Sequence, residues 1–72
     1  MEIFFDLRGE HITLDALLKA CGIAASGGDA KTLIAGGAVI VNDQVETRRG
    51  RKLRGGDAIR TASHHIRIRA QA

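Results

Sequence analysis

The apolar positions change period twice along the chain. From Glu2 to Leu7 they alternate, with Ile3, Phe5 and Leu7 on one side, as in a short strand. Arg8 to His11 reads as a turn. Leu14, Leu17, Leu18 and Cys21 then recur at i, i+3, i+4 and i+7, one face of a helix, with Thr13 as N-cap and Gly22 at the left-handed closing position. Asp15 and Lys19 form an i, i+4 pair on its wet side. A second stripe, Ala30, Leu33, Ile34 and Gly37, follows Ser26 with Asp29 three positions on, a short form of the capping box, and Gly36-Gly37 ends it. Few residues separate the two helices, so they pack as a tight pair.

Beyond Gly37 the period returns to two. Ala38 to Val41 predicts a strand, Asn42-Asp43 a turn and Gln44 to Glu46 the return strand. Gly55-Gly56-Asp57 is a further turn. Ala58 to Ala62 and His65 to Ala70 predict a closing hairpin around Ser63-His64. In that register Ile59 and Thr61 share the inner face with Ile66 and Ile68. Arg60 lies opposite Arg67 on the outer face, with Arg69 diagonal to them. Like charges so placed repel by a few tenths of a kcal/mol; either the side chains splay into water or an anion offsets the repulsion. Two helices followed by hairpins make an α+β domain.

Seventy-two residues form one domain over 1–72, with 44% hydrophobic content, no internal repeat and no proline. A chain this short buries only about 60% of its unfolded surface, too little for a deep cleft with its supporting shell. A lone cysteine fits a reducing setting. The first residues carry two acids and too short an apolar run for a leader, and no stretch approaches the ~20 apolar residues of a spanning helix. A cytoplasmic protein with no membrane partner is expected.

Charge changes the picture most. From Thr47 onward eight basic residues face Asp57 alone, a net of +7, whereas residues 1–46 carry seven acids against three bases, a net of −4. Five of the bases, Arg48, Arg49, Arg51, Lys52 and Arg54, fall within seven positions. Such a segment creates a local positive field that recruits polyanions, although it also serves solubility.

The ordered runs TLDALLKACG (13–22), SGGDAKTLIAGGAVIVND (26–43), VETRR (45–49) and GGDAI (55–59) resemble the alpha-L RNA-binding domain first described in ribosomal protein S-four. The match covers about two-thirds of the chain and suggests a short, stand-alone bacterial member. The resemblance implies a helix pair on a small, strongly bent antiparallel sheet, with RNA held by the second helix and adjoining loops. On that pattern Ser26 is the helix-capping serine and Lys31 the basic residue after the motif alanine, Ala30. Two positions depart from it. The arginine that usually follows the serine is Gly27, which removes one phosphate contact, and the glycine of the asparagine-glycine turn is Asp43.

Arg48 to Arg54 is therefore the main candidate site, since guanidinium groups offer planar, multi-donor contacts to phosphate. Neutralising four to six phosphates predicts a salt slope of about −3 to −5 in log K against log salt. Gly27 and Gly28 leave the first turn of the second helix bare, which either admits a phosphate to the backbone or merely loosens the helix start. With no tyrosine or tryptophan and only Phe4 and Phe5, recognition of RNA shape and backbone is expected from this surface. The expected partner is structured RNA, rRNA or tRNA, in ribosome function or assembly, bound by a monomer that takes no small-molecule substrate. The other reading is an adaptor whose basic face docks an acidic protein. DNA is reachable through the same phosphate contacts. No nucleophile–base pair or carboxylate pair supports an enzyme. His64 and His65 point to opposite faces of a strand, His11 is remote and Cys21 lies on an apolar face, so neither metal nor cofactor is expected.

Overall fold

The computed structural model describes residues 2–70; Met1, Gln71 and Ala72 of the single expected domain lie outside the described residues. After the extended residue Thr13 the chain coils into α1 (Leu14–Ala20), which buries Leu14, Leu17 and Leu18 completely. Gly22, at φ +75, turns the chain out of the helix. The N–H groups of Ile23 and Ala24 return to the Leu18 carbonyl. After this short link α2 (Gly27–Ala35) starts as expected. Ser26 Oγ accepts from the Asp29 N–H at 3.2 Å, and Asp29 reaches back to the Ala25 N–H. Ala30 and Ile34 are its buried positions.

The helices cover one face of a five-stranded sheet. Its strands are β1 (Glu2–Leu7), β3 (Ile40–Val41), β4 (Gln44–Val45), β6 (Ala58–Arg60) and β7 (His65–Ala70), in the order β1-β7-β6-β3-β4. Val41, Ile59 and Ile66 align across the inner face, joined by Leu7 and Ile68, and form one core with the helix leucines and Leu53. A separate two-stranded ladder pairs β2 (Ile12–Thr13) with β5 (Lys52–Leu53).

The α+β expectation holds: two packed helices lie on a small sheet. The sheet is mixed, because β1 runs parallel to β7 while the other pairs are antiparallel. The physical reason is complementarity. Ile3 and Phe5 lie beside Ile66 and Ile68 inside, whereas Glu2, Phe4 and Asp6 meet His65, Arg67 and Arg69 outside. Asp6 and Arg69 form an ion pair at 2.9 Å, so part of the charge split is closed between the first and last strands.

The closing hairpin requires a correction. Thr61 N–H donates to the His64 carbonyl, which centres the two-residue turn on Ala62-Ser63 rather than on Ser63-His64. The register moves by two residues, so every side chain keeps its expected face; a slip of one would have inverted them. Arg60 now lies opposite His65 and Arg67 opposite Ala58. The expected head-on pairing of Arg60 with Arg67 does not occur, and this register avoids its repulsion. The strand after Gly37 is also shorter than expected, with Asn42 (φ 50) and Asp43 (φ 69) making the tight turn.

Candidate nucleic-acid interface

The basic segment is built on a buried carboxylate. Glu46 is 6% exposed and follows β4, where its N–H donates to the Val39 carbonyl. Its Oε2 accepts from the N–H and Nε of Arg48, each at 3.1 Å. Its Oε1 accepts from Arg48 Nη2 at 3.1 Å and from Arg51 Nη1 at 2.8 Å. Hydrogen bonds from Arg48, then Arg51, outweigh the burial that opposes ionisation, and they hold the Glu46 carboxyl at about 2 against its ordinary 4.5.

The main chain fixes the other side of this loop. Leu14 N–H donates to the Arg51 carbonyl at 2.9 Å, and Asp15 N–H to the Arg49 carbonyl at 3.1 Å. Loop carbonyls thus satisfy the opening N–H groups of α1, a role the sequence suggested for the Thr13 side chain, which makes no capping bond. Asp15 bonds to the Ala16 N–H instead of pairing with Lys19. The Thr13 side chain is the largest influence lowering the Asp15 pKa, and nearby Arg49 lowers it further. Beyond Arg51 the β2–β5 ladder takes over, with Leu53 buried and Lys52 exposed. Asp57 Oδ2 accepts from the Arg54 N–H, and Gly55 presses against the end of β7, where a Cβ would stand 2.5 Å from the Ala70 Cβ.

The structure brings five candidates together: Arg48, Arg49, Arg51, Lys52 and Arg54 form one loop and ladder at the start of α1. Two of the five are committed to Glu46. The Arg48 side chain is still 74% exposed, with Glu46 engaging its Nε and Nη2, whereas Arg51 is half-buried. Arg49, Lys52 and Arg54 are exposed. Five cations against one buried carboxylate leave about +4, fewer charges than the basic run alone suggests.

The remaining candidates lie elsewhere. Ser26, Gly27, Gly28 and Lys31 belong to the start of α2, which follows the end of α1, whereas the basic loop docks at the start of α1. Lys31 is exposed, and nothing stands within 4 Å of where a Gly27 side chain would be. Arg60 and Arg67 project from the helix-free face of the sheet. Sequence reasoning missed Glu46 as the organiser of the loop. Its one signal was an acid two positions before a run of arginines, at the end of the expected return strand. Burial raises the pKa of the Cys21 thiol, which keeps it protonated. Among the described residues no group of three metal-ligating side chains occurs, and no helix is long and apolar enough to cross a membrane.

Comparison with known proteins agrees with this architecture. The family model of the S4 domain matches residues 5–69. "Probable ribosome maturation protein RlbA" of Bacillus subtilis (strain 168) is 46% identical over 50 residues, covering 69% of this chain and 70% of that protein. "Putative RNA-binding protein YbcJ" of Escherichia coli (strain K12) is 40% identical over 58 residues, covering 81% of this chain and 83% of the relative. A protein of Shigella flexneri named "Uncharacterized protein YbcJ" matches to the same extent. The chain belongs to the S4 domain family.

Proposed function

We propose that this chain is a non-enzymatic RNA-binding module of the cytoplasm that holds structured RNA by its phosphates, in ribosome function or maturation. The observation that carries the reading is the loop Arg48 to Arg54, in which the Arg48 and Arg51 guanidinium groups are held on buried Glu46 and the Arg49 and Arg51 carbonyls are held by the first N–H groups of α1. A loop whose main chain is ordered before binding gives up little backbone freedom when a phosphate arrives. The names of the relatives, one for RNA binding and one for ribosome maturation, support the same reading. Arg49, Lys52 and Arg54 supply the contacts made on binding, and Arg48 adds its exposed side chain. Lys31 and the bare first turn of α2 offer a second, weaker contact.

The test compares the wild type with Arg49→Gln/Lys52→Gln/Arg54→Gln on ribosomal RNA across a salt series. This variant leaves the Glu46 pairs intact. With about four charges neutralised, the wild-type slope of log K against log salt is expected between about −3 and −4. The variant is expected to bind more weakly, with a slope flatter by about 2 to 3. Equal binding by both proteins would remove the loop from the interface. Failure of both to bind RNA, together with protein partners that survive ribonuclease in a pull-down, would favour the acidic-partner reading.

A further inference from the structure

The face of the sheet turned away from the helices is uncovered, and its composition is unusual for a solvated face. Across the strands one row reads Val45, Ile40, Arg60, His65 and Glu2; the next reads Ala58, Arg67 and Phe4; Arg69 and Asp6 follow. Phe4 is 49% exposed and Val45 60%. A shallow groove of about 300 Å³ runs between Arg60 and Arg67 over Ile40 and Ala58. Neither arginine has a carboxylate within ion-pair distance among the described residues. Two acids border the groove, Glu2 from β1 and Asp43 from the β3–β4 turn, on opposite sides. Beside it the Arg69 guanidinium lies over the Phe4 ring, 4.9 Å from its centroid, and Asp6 holds the Arg69 Nε at 2.9 Å.

We propose that this face is a second RNA surface, which takes a single-stranded segment running on from the structured RNA held by the basic loop. The proposal rests on the RNA-binding reading of the loop. Two unpaired guanidinium groups beside an apolar floor suit a flexible strand, whose phosphates and unstacked bases are both accessible. Phe4 with Arg69 provides a planar platform for one base, and Asp6 keeps that guanidinium in place. The two surfaces are close enough for one ligand. Gly55, at the end of the basic loop, touches Ala70 at the end of β7, and Arg67 lies three residues back along that strand, about 10 Å away. Glu2, Asp6 and Asp43 oppose any anionic ligand alike, so it is the Phe4–Arg69 platform, which a base can stack on, that favours a nucleic-acid strand over an acidic protein segment.

The test uses a blunt RNA hairpin and the same hairpin with an oligouridine overhang at either end, read by fluorescence anisotropy across a salt series. In the wild type one overhang is expected to tighten binding by roughly tenfold and to steepen the salt slope by about 1.4, the value for two phosphates of a single strand. Arg60→Gln/Arg67→Gln is expected to abolish the added slope. Phe4→Leu is expected to keep the added slope but lose most of the tenfold gain. An overhang that adds nothing, or a gain that survives in both variants, would overturn the second surface while the blunt hairpin still reports the loop. Failure of the wild type to bind either RNA would overturn the loop reading and this one with it.

Discussion

Replacing Glu46 with glutamine tests whether a buried charge organises the basic loop. The side chain keeps its volume, but its amide nitrogen cannot accept, so two of the four donors now on the carboxylate are left facing an N–H group whichever oxygen is replaced. The size of the effect follows from the carboxyl being held at about 2 rather than 4.5. At about 1.4 kcal/mol per pH unit, that shift sets an upper limit of about 3.4 kcal/mol. Water around the Arg48 side chain, 74% exposed, screens much of this and leaves about 1–2 kcal/mol. A carboxylate whose pKa is depressed on folding stabilises the fold above its ordinary pKa and loses that contribution as pH falls towards the folded value. Glu46→Gln is therefore expected to be about 1–2 kcal/mol less stable at pH 7, with the gap closing between pH 4.5 and about 2. Urea unfolding followed by far-ultraviolet circular dichroism is the suitable assay, since the chain has no tryptophan or tyrosine. With a slope of about 1 kcal/mol per molar urea, the midpoint should fall by about 1–2 M at pH 7. A gap of the same size at pH 7 and pH 2.5 would refute a charge-based cause, and no gap at pH 7 would refute the network itself.

Gly55→Ala places a Cβ 2.5 Å from that of Ala70 and 2.9 Å from its nitrogen, so a loss of about 1–3 kcal/mol is expected. Gly50→Ala, with nothing within 4 Å, is the matched control, and thermal melting should separate the two by several degrees. Ser26→Ala removes the oxygen that caps α2 and should cost about 1 kcal/mol in urea unfolding, with Ser26→Asn nearer to wild type. Asp43→Gly relieves a non-glycine residue at φ 69 in the β3–β4 turn and is expected to stabilise by up to about 1 kcal/mol; a destabilised variant would show that the Asp43 side chain has a role of its own.

Both helices were legible because their apolar positions repeat over two turns and their ends carry Ser26, Gly22 and Gly37. Those signals are local and lie within a few residues of the structure they specify. The parallel pairing of β1 with β7 was not legible, since nothing in a period-two segment says which strand it will join. The β2–β5 ladder is two residues long on each side, too short to leave any period. The turn in the last hairpin was misplaced by one residue. Ala62-Ser63 and Ser63-His64 are equally plausible as turn dipeptides, and only the cross-strand neighbours of Arg60 and Arg67 distinguish them. Within the candidate site, the cations were readable as a run, but the division between Arg48 and Arg51, which pair with Glu46, and Arg49, Lys52 and Arg54, which do not, was not. That division depends on Glu46 being buried, which the β3–β4 pairing and the core decide.

The arrangement resolves a conflict inherent in any short arginine-rich loop. Five cations in seven positions repel one another, and a loop free to separate them would present phosphate with no fixed geometry. Placing Glu46 beneath the loop lowers the net charge by one, yet it fixes Arg48 and Arg51 in a loop whose carbonyls also bond to the start of α1. The gain is order rather than charge. Order matters more for a ligand recognised by the spacing of its phosphates than for one held by diffuse attraction. On this view affinity and salt dependence should separate. Removing Arg49 should flatten the salt slope in proportion to its charge, whereas Glu46→Gln raises the positive charge of the loop yet should weaken binding. If Glu46→Gln binds ribosomal RNA more tightly at every salt concentration, charge alone governs the interface and the buried carboxylate serves the fold only.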